Sequence, residues 1–129
     1  MKYLSRLAVV GAASLVLVAL AGCAPAGNPI ATFRVGDETY KIELATPELV
    51  DHAESLLAGD HVARIPNGVV VRDDPGPNAP WSWHIDPASL EFADMTIEVC
   101  DGIPSYVEEG IVTSDRYCPW SAEIVSIDR

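Results

Sequence analysis

From residue 30 the chain alternates apolar and polar side chains in two short runs, "IATFRV" and "TYKIEL". Ala31, Phe33 and Val35 share one face of the first run, and Tyr40, Ile42 and Leu44 share one face of the second. A period of two predicts strands with one side in a core. Gly36-Asp37 between them suits a tight hairpin turn. The period then changes. In "TPELVDHAESLLAG", Leu49, Val50, Ala53, Leu56 and Leu57 form a helical stripe. Thr46 can cap that helix, Pro47 suits its first position, and Glu48 favours the positive end of its dipole. Gly59 ends it. His52 and His61, on or beside the helix, are expected to be exposed.

"HVARIPNGVVVR" predicts a second hairpin turning at Pro66-Asn67-Gly68. "DDPGPNAP", with three prolines and a glycine, predicts a loop. Trp81 to Asp86, about Met95 to Cys100, and Trp120 to Ile127 read as strands, with a short helix between Ile103 and Gly110 after Pro104. Strands outnumber helices, the links are short and no repeat occurs. The fold class expected is α+β: a small, mainly antiparallel sheet packed with one long helix and one short helix.

Ahead of these elements stands "MKYLSRLAVVGAASLVLVALAGC". It begins with Lys2 and Arg6 and continues without charge to small residues, the layout of a secretory signal. Its end, Leu20-Ala21-Gly22-Cys23, resembles the lipobox of bacterial lipoproteins at all four positions. The resemblance implies cleavage before Cys23 and lipid on that cysteine. Ala24 implies outer-membrane sorting if the cell is Gram-negative. The expected organisation is a signal peptide over 1–22, a lipidated tether over 23–29 and a single domain over 30–128.

The signal carries two of the eight basic residues and none of the nineteen acidic ones, so residues 23–129 have a formal charge of −13. Such a surface is repelled by nucleic-acid phosphates and by anionic headgroups, which argues against both as direct ligands. The membrane is then a partner only through the lipid. With Cys23 assigned to lipid, Cys100 and Cys118 remain, and two cysteines outside the cytoplasm predict one disulfide. A zinc pair is the alternative, but such pairs usually stand in C-x-x-C spacing, which is absent.

Candidate chemistry gathers in "WSWHIDPASLEFADMTIEVCDG". On the first of its two expected strands Trp81, Trp83 and Ile85 share a side opposite Ser82, His84 and Asp86. On the second, Met95, Ile97 and Val99 share a side opposite Thr96, Glu98 and Cys100. Tryptophans and aliphatics are expected to meet in the core. Pairing of the two strands would then gather His84, Asp86, Glu98 and the adjoining Asp101 on the polar side. That set could act as an acid–base group with orienting carboxylates, hold zinc or manganese, or fix strand geometry by hydrogen bonds. Asp73, Asp74 and Asn78 could hold calcium weakly. Glu108-Glu109 reads as an exposed helix end. No G-x-S-x-G, H-E-x-x-H, phosphate-loop, dinucleotide or EF-hand pattern occurs. No cofactor is expected.

"WSWHIDP", "IEVCDG" and "YCPWS", in this order and spacing, resemble the N-terminal domain of a slime-mould calmodulin-binding protein, the calmodulin-antagonist family. The markers are Trp81, His84, Asp86, Pro87, Glu98, Cys100, Asp101, Cys118, Pro119 and Trp120, and the similarity spans about Ile30 to Ile127. Recurrence of both cysteines in those motifs implies that they pair. The resemblance supplies no catalytic residue. Calmodulin is not expected as a partner here, because calmodulin targets offer a basic amphipathic helix, whereas this helix carries Glu48, Asp51 and Glu54 and no lysine or arginine. The function expected is binding of a protein or envelope component by a lipid-anchored domain. The alternatives are a metal-dependent or acid–base hydrolase at His84 and its carboxylates, and a purely structural lipoprotein.

Overall fold

The computed structural model describes residues 27–129. The signal, the lipobox with Cys23 and most of the tether lie outside the described residues. The fold is α+β, with antiparallel strands throughout, two α-helices and one disulfide. Instead of the single sheet expected, the strands form two.

The first sheet has the order β2-β1-β7. Strands β1 (Ile30–Val35) and β2 (Glu38–Glu43) pair from Ile30↔Glu43 to Val35↔Glu38, and Gly36 turns the hairpin at φ 61°. A positive φ is cheap only without a Cβ. The alternating pattern predicts the buried face correctly: Ala31, Phe33, Val35, Tyr40, Ile42 and Leu44 are all in the core. β7 (Glu123–Asp128) pairs with the other side of β1 and starts three residues later than expected, with a bulge at Val125 between the pairs Thr32↔Ser126 and Phe33↔Ile124. Helix α1 (Pro47–Leu57) packs on β7. Thr46 Oγ1 accepts a hydrogen bond from Leu49 N at 3.3 Å, and Pro47 opens the helix.

The second sheet is built around β3 (Ile65–Arg72), which carries three partners: β4 (Trp83–Ile85), β5 (Glu91–Ala93) and β6 (Arg116–Tyr117). No hairpin turns at Pro66-Asn67-Gly68; the strand runs straight through, and Gly68 pairs with Tyr117. The glycine marks a close approach rather than a turn, because a Cβ there would meet Ile85 Cγ2 at 2.3 Å. β4 and β5 continue one another along β3, interrupted by a 3-10 turn at Pro87–Ser89. At that interruption Ser89 Oγ accepts from Val69 N at 2.8 Å and Asp86 N donates to Val69 O at 2.9 Å.

The sheets meet over an aromatic centre. Tyr40, Trp83 and Tyr117 have ring centroids 5.2–5.9 Å apart in every pair. Burial pushes the Tyr40 hydroxyl well above its usual pKa, with Tyr117 adding to it. Tyr117 is raised too, by burial first and then by the Asp101 and Glu38 carboxylates. Its hydroxyl donates to Gly102 O at 2.8 Å.

The outer edge of β2 is met by side chains. Asn78, fully buried, accepts from Lys41 N at 2.7 Å and donates to Trp83 O at 2.9 Å. Trp81 Nε1 donates to Thr39 O at 2.8 Å. The Asp73–Pro80 loop, irregular apart from a 3-10 turn at Gly76–Asn78, is therefore tied to the sheet at two backbone positions. Helix α2 (Pro104–Glu108) falls where expected, and Arg72 satisfies carbonyls around its C-terminal end through Val107 O at 3.0 Å and Val112 O at 2.9 Å.

Candidate interaction surface

The structure does not bring His84, Asp86, Glu98 and Asp101 together. The pairing that would have done so is absent: β4 lies against β3, with His84 opposite Val71, and Met95–Cys100 is not a strand. His84 Nδ1–H donates to the Asp74 carbonyl at 2.7 Å, and the ring packs so closely on Gly76 that a Cβ there would approach it to 2.9 Å. Asp86 caps the next 3-10 turn, accepting from Ala88 N at 3.0 Å. Asp101 accepts from Trp120 N at 2.8 Å, far along the chain. Glu98 is exposed and has no side-chain partner among the described residues. No group of three or more His, Cys, Asp or Glu side chains able to hold a metal occurs among the described residues.

The weak calcium set is likewise divided. Asn78 points into the core while the Asp74 carboxylate accepts from Gly76 N at 3.1 Å. His61 is exposed as expected, but His52 is not: its Nε2–H donates to Ala63 O at 2.5 Å and its ring stacks on Phe92 with centroids 4.4 Å apart. Glu108 lies at an exposed helix end, where its carboxylate accepts from both Ser82 N and Ser82 Oγ at 3.0 Å.

What the polar markers build is a staple. Cys100 and Cys118 form the disulfide, with Cα atoms 5.0 Å apart. Cys118 N donates to Cys100 O at 2.7 Å, and Trp120 Nε1 donates to Thr96 Oγ1 at 2.6 Å. With the Asp101–Trp120 and Tyr117–Gly102 bonds, these contacts fasten residues 96–102 to 117–120. Ile65, Cys100 and Cys118 make a small apolar cluster of their own beside the main core.

The staple turns Met95, Ile97 and Val99 outward. The sequence pattern places them in the core; they are 86%, 69% and 64% exposed. The period of two holds and the side is reversed. Cys100 must face Cys118, and Thr96, of the same parity, faces Trp120. The opposite parity is left to solvent, where three large apolar side chains in a row form a ridge. Exposed apolar groups scattered singly need no explanation, but a contiguous set does.

Clefts flank the ridge. One, of about 230 Å³, is lined by Arg64, Ile65, Asp94, Met95, Thr96 and Trp120. The other, of about 290 Å³, includes Asn67, Ala93, Ile97 and Arg116. Arg116 is held in place by Asn67 Oδ1 at 2.8 Å and Glu91 at 3.5 Å, whereas Arg64 has no ion-pair partner among the described residues. No local pattern in the sequence joins Trp120 to Arg64; the signal that could have found the ridge is the parity of Cys100. Trp120 stands shortly before Glu123, which pairs with Arg34, and Ser105 N donates to Glu38 beside the hairpin turn. The staple thus sits toward the turn end of the first sheet, while Pro29 enters that sheet at the opposite end, next to the Ile30↔Glu43 pair.

A small antiparallel α+β domain, stapled by one disulfide and bearing an apolar ridge, is the class that this geometry defines. The chain belongs to the family named for the N-terminal domain of a calmodulin-binding protein, whose family model matches residues 29–129. No curated protein and no solved structure is similar enough to the chain to match it.

Proposed function

We propose that this is a lipid-anchored bacterial envelope protein whose domain binds another envelope or extracellular protein through the Met95-Ile97-Val99 ridge. In this reading residues 1–22 are the signal, Cys23 carries the lipid, 23–29 are the tether and 30–128 are the binding domain. The lipobox match at Leu20–Cys23 supports the anchor, and a disulfide is at home in an exported protein. The observation that carries the binding reading is the exposure of three consecutive same-side apolar groups on a segment fixed by that disulfide. A site held rigid before binding loses less conformational freedom when a partner arrives. The ridge lies toward the end of the sheet opposite the tether, so an anchored domain would present it away from its own bilayer.

The test is a photo-crosslinking residue placed at Ile97 in the anchored protein within its native envelope, with one at Asp51 on α1 as the control. A protein adduct from position 97 and none from position 51 is the expected result. Equal adducts at both, or none at 97, overturn the reading. Mass spectrometry of the N-terminus tests the anchor separately: a free, unmodified Cys23 on the mature chain would sink it.

A further inference from the structure

We propose that the ridge takes an extended, cationic segment of its partner, added as a β-strand alongside Met95–Val99. This rests on the reading that the ridge binds a protein, and it names the chemistry of what is bound.

The backbone carries the first part. β5 pairs with β3 through Ile65↔Ala93, Pro66↔Phe92 and Asn67↔Glu91. Beyond Ala93 the chain remains free of a sheet partner, and Ile97 is extended at φ −83° and ψ 152°. Among the described residues, the main-chain groups of Met95 and Thr96 form no hydrogen bond to another backbone group. Unbonded main-chain donors and acceptors on a fixed segment template a strand from another chain, and the side chains of alternate residues select which strand. Here Met95 and Ile97 alternate with inward Thr96, and the two clefts lie on either side of them. An added strand can therefore seat side chains in those clefts.

Charge selects the occupant. Asp94 and Glu98 are exposed on this segment, with no side-chain partner among the described residues, within a domain of formal charge −13. Alternating basic and apolar side chains on the incoming strand would satisfy the carboxylates and cover the apolar groups at once. A second copy of this chain would set Asp94 and Glu98 against their own counterparts, and an anionic lipid surface would meet the same repulsion. Like-charge contacts reject such occupants.

The experiment uses short synthetic peptides as probes and backbone amide NMR of the disulfide-bonded domain as the readout. The probes are an alternating Lys-Val peptide, its Glu-Val counterpart, and the Lys-Val peptide N-methylated at alternate residues along either edge. The Lys-Val peptide should bind, shift the amides of residues 94–97, slow hydrogen exchange at Met95 or Thr96, and weaken as salt rises. Ile97→Ser and Glu98→Lys should each reduce affinity by about tenfold or more, and Asp51→Asn should leave it unchanged. Glu-Val and at least one N-methylated form should fail to bind. Binding of Glu-Val or of both N-methylated forms as tightly as the parent peptide would overturn the proposal. So would indifference to Glu98→Lys, a ridge-dependent dimer in sedimentation, or ridge-dependent adsorption to phosphatidylglycerol vesicles. If Ile97 crosslinks to an envelope protein while the Lys-Val peptide does not bind, the binding surface stands and strand addition falls.

Discussion

The hairpin–helix region, residues 30–57, and the stapled region, residues 91–102 with 117–120, are held together by different physics. In the first, side chains with strand and helix periods point into one continuous core, and removal of apolar surface from water is the main cohesive force. In the second, the apolar cluster is only Ile65 and the two half-cystines, and a covalent bond with four hydrogen bonds fixes the chain. A segment fastened by its polar and sulfur-bearing side need not bury its apolar side. That is how Met95, Ile97 and Val99 stay in water on a structured segment.

The largest expected effect strikes the first kind of cohesion. Trp83 is 1% exposed and packs against Tyr40 and Tyr117, so Trp83→Ala should cost about 3–5 kcal/mol. Denaturant unfolding measures it, and a cost near zero would mean that the aromatic centre is not the core. Next comes the staple. Cys100→Ala and Cys118→Ala should each cost about 2–4 kcal/mol, and the double variant little more than either, because one bond is lost in all three. Two readily alkylated thiols in the native, non-reduced protein would refute the pairing.

His84→Ala should cost about 1–3 kcal/mol, since it leaves the Asp74 carbonyl without its donor and a gap beside Gly76. Thermal unfolding with and without chelator sharpens the comparison. If His84 acts through hydrogen bonding, chelator changes neither protein; a wild type that melts lower in chelator would return His84, Asp86 and nearby carboxylates to consideration as ion ligands.

Alkaline pH acts on the aromatic centre alone. Tyr40 and Tyr117 both have pKa values raised on folding. The native state holds their phenolic protons more tightly than the unfolded chain, so this contribution is complete below the unfolded value near pH 10 and is lost as pH rises through the folded ones. Stability should fall by about 1.4 kcal/mol per pH unit for each tyrosine above that point. Urea unfolding at successive pH values measures the slope, and Tyr117→Phe should reduce it by about half. The smallest effect tests the ridge: Ile97→Ser should change stability by less than about 0.5 kcal/mol, because the side chain is already in water. A large loss would show that Ile97 is part of the packing.

The same contrast explains what could be read from the sequence. The first hairpin, α1 and α2 announce themselves through local signals: alternation around Gly36, Thr46-Pro47 before a helical stripe, and Pro104. The disulfide follows from counting cysteines. Three features depend on contacts between distant segments and are not legible locally. Alternation in Met95–Cys100 tells which residues share a side, but only the position of Cys118 tells which side is inward. Pro66-Asn67-Gly68 has turn composition, yet the glycine is there for Ile85. The grouping of His84 with Glu98 and Asp101 needs a strand pairing that β3 pre-empts by lying against β4.

The strap on β2 has a colloidal consequence. Asn78 and Trp81 occupy two of the backbone positions through which a bare edge would recruit the edge of a neighbouring molecule. On the other flank of that sheet, the bulge at Val125 and the charges of Glu123 and Asp128 disrupt the same kind of docking. Crowding many copies together therefore gives this sheet little tendency to grow from molecule to molecule, and an irregular loop acts as the guard that keeps the protein dispersed.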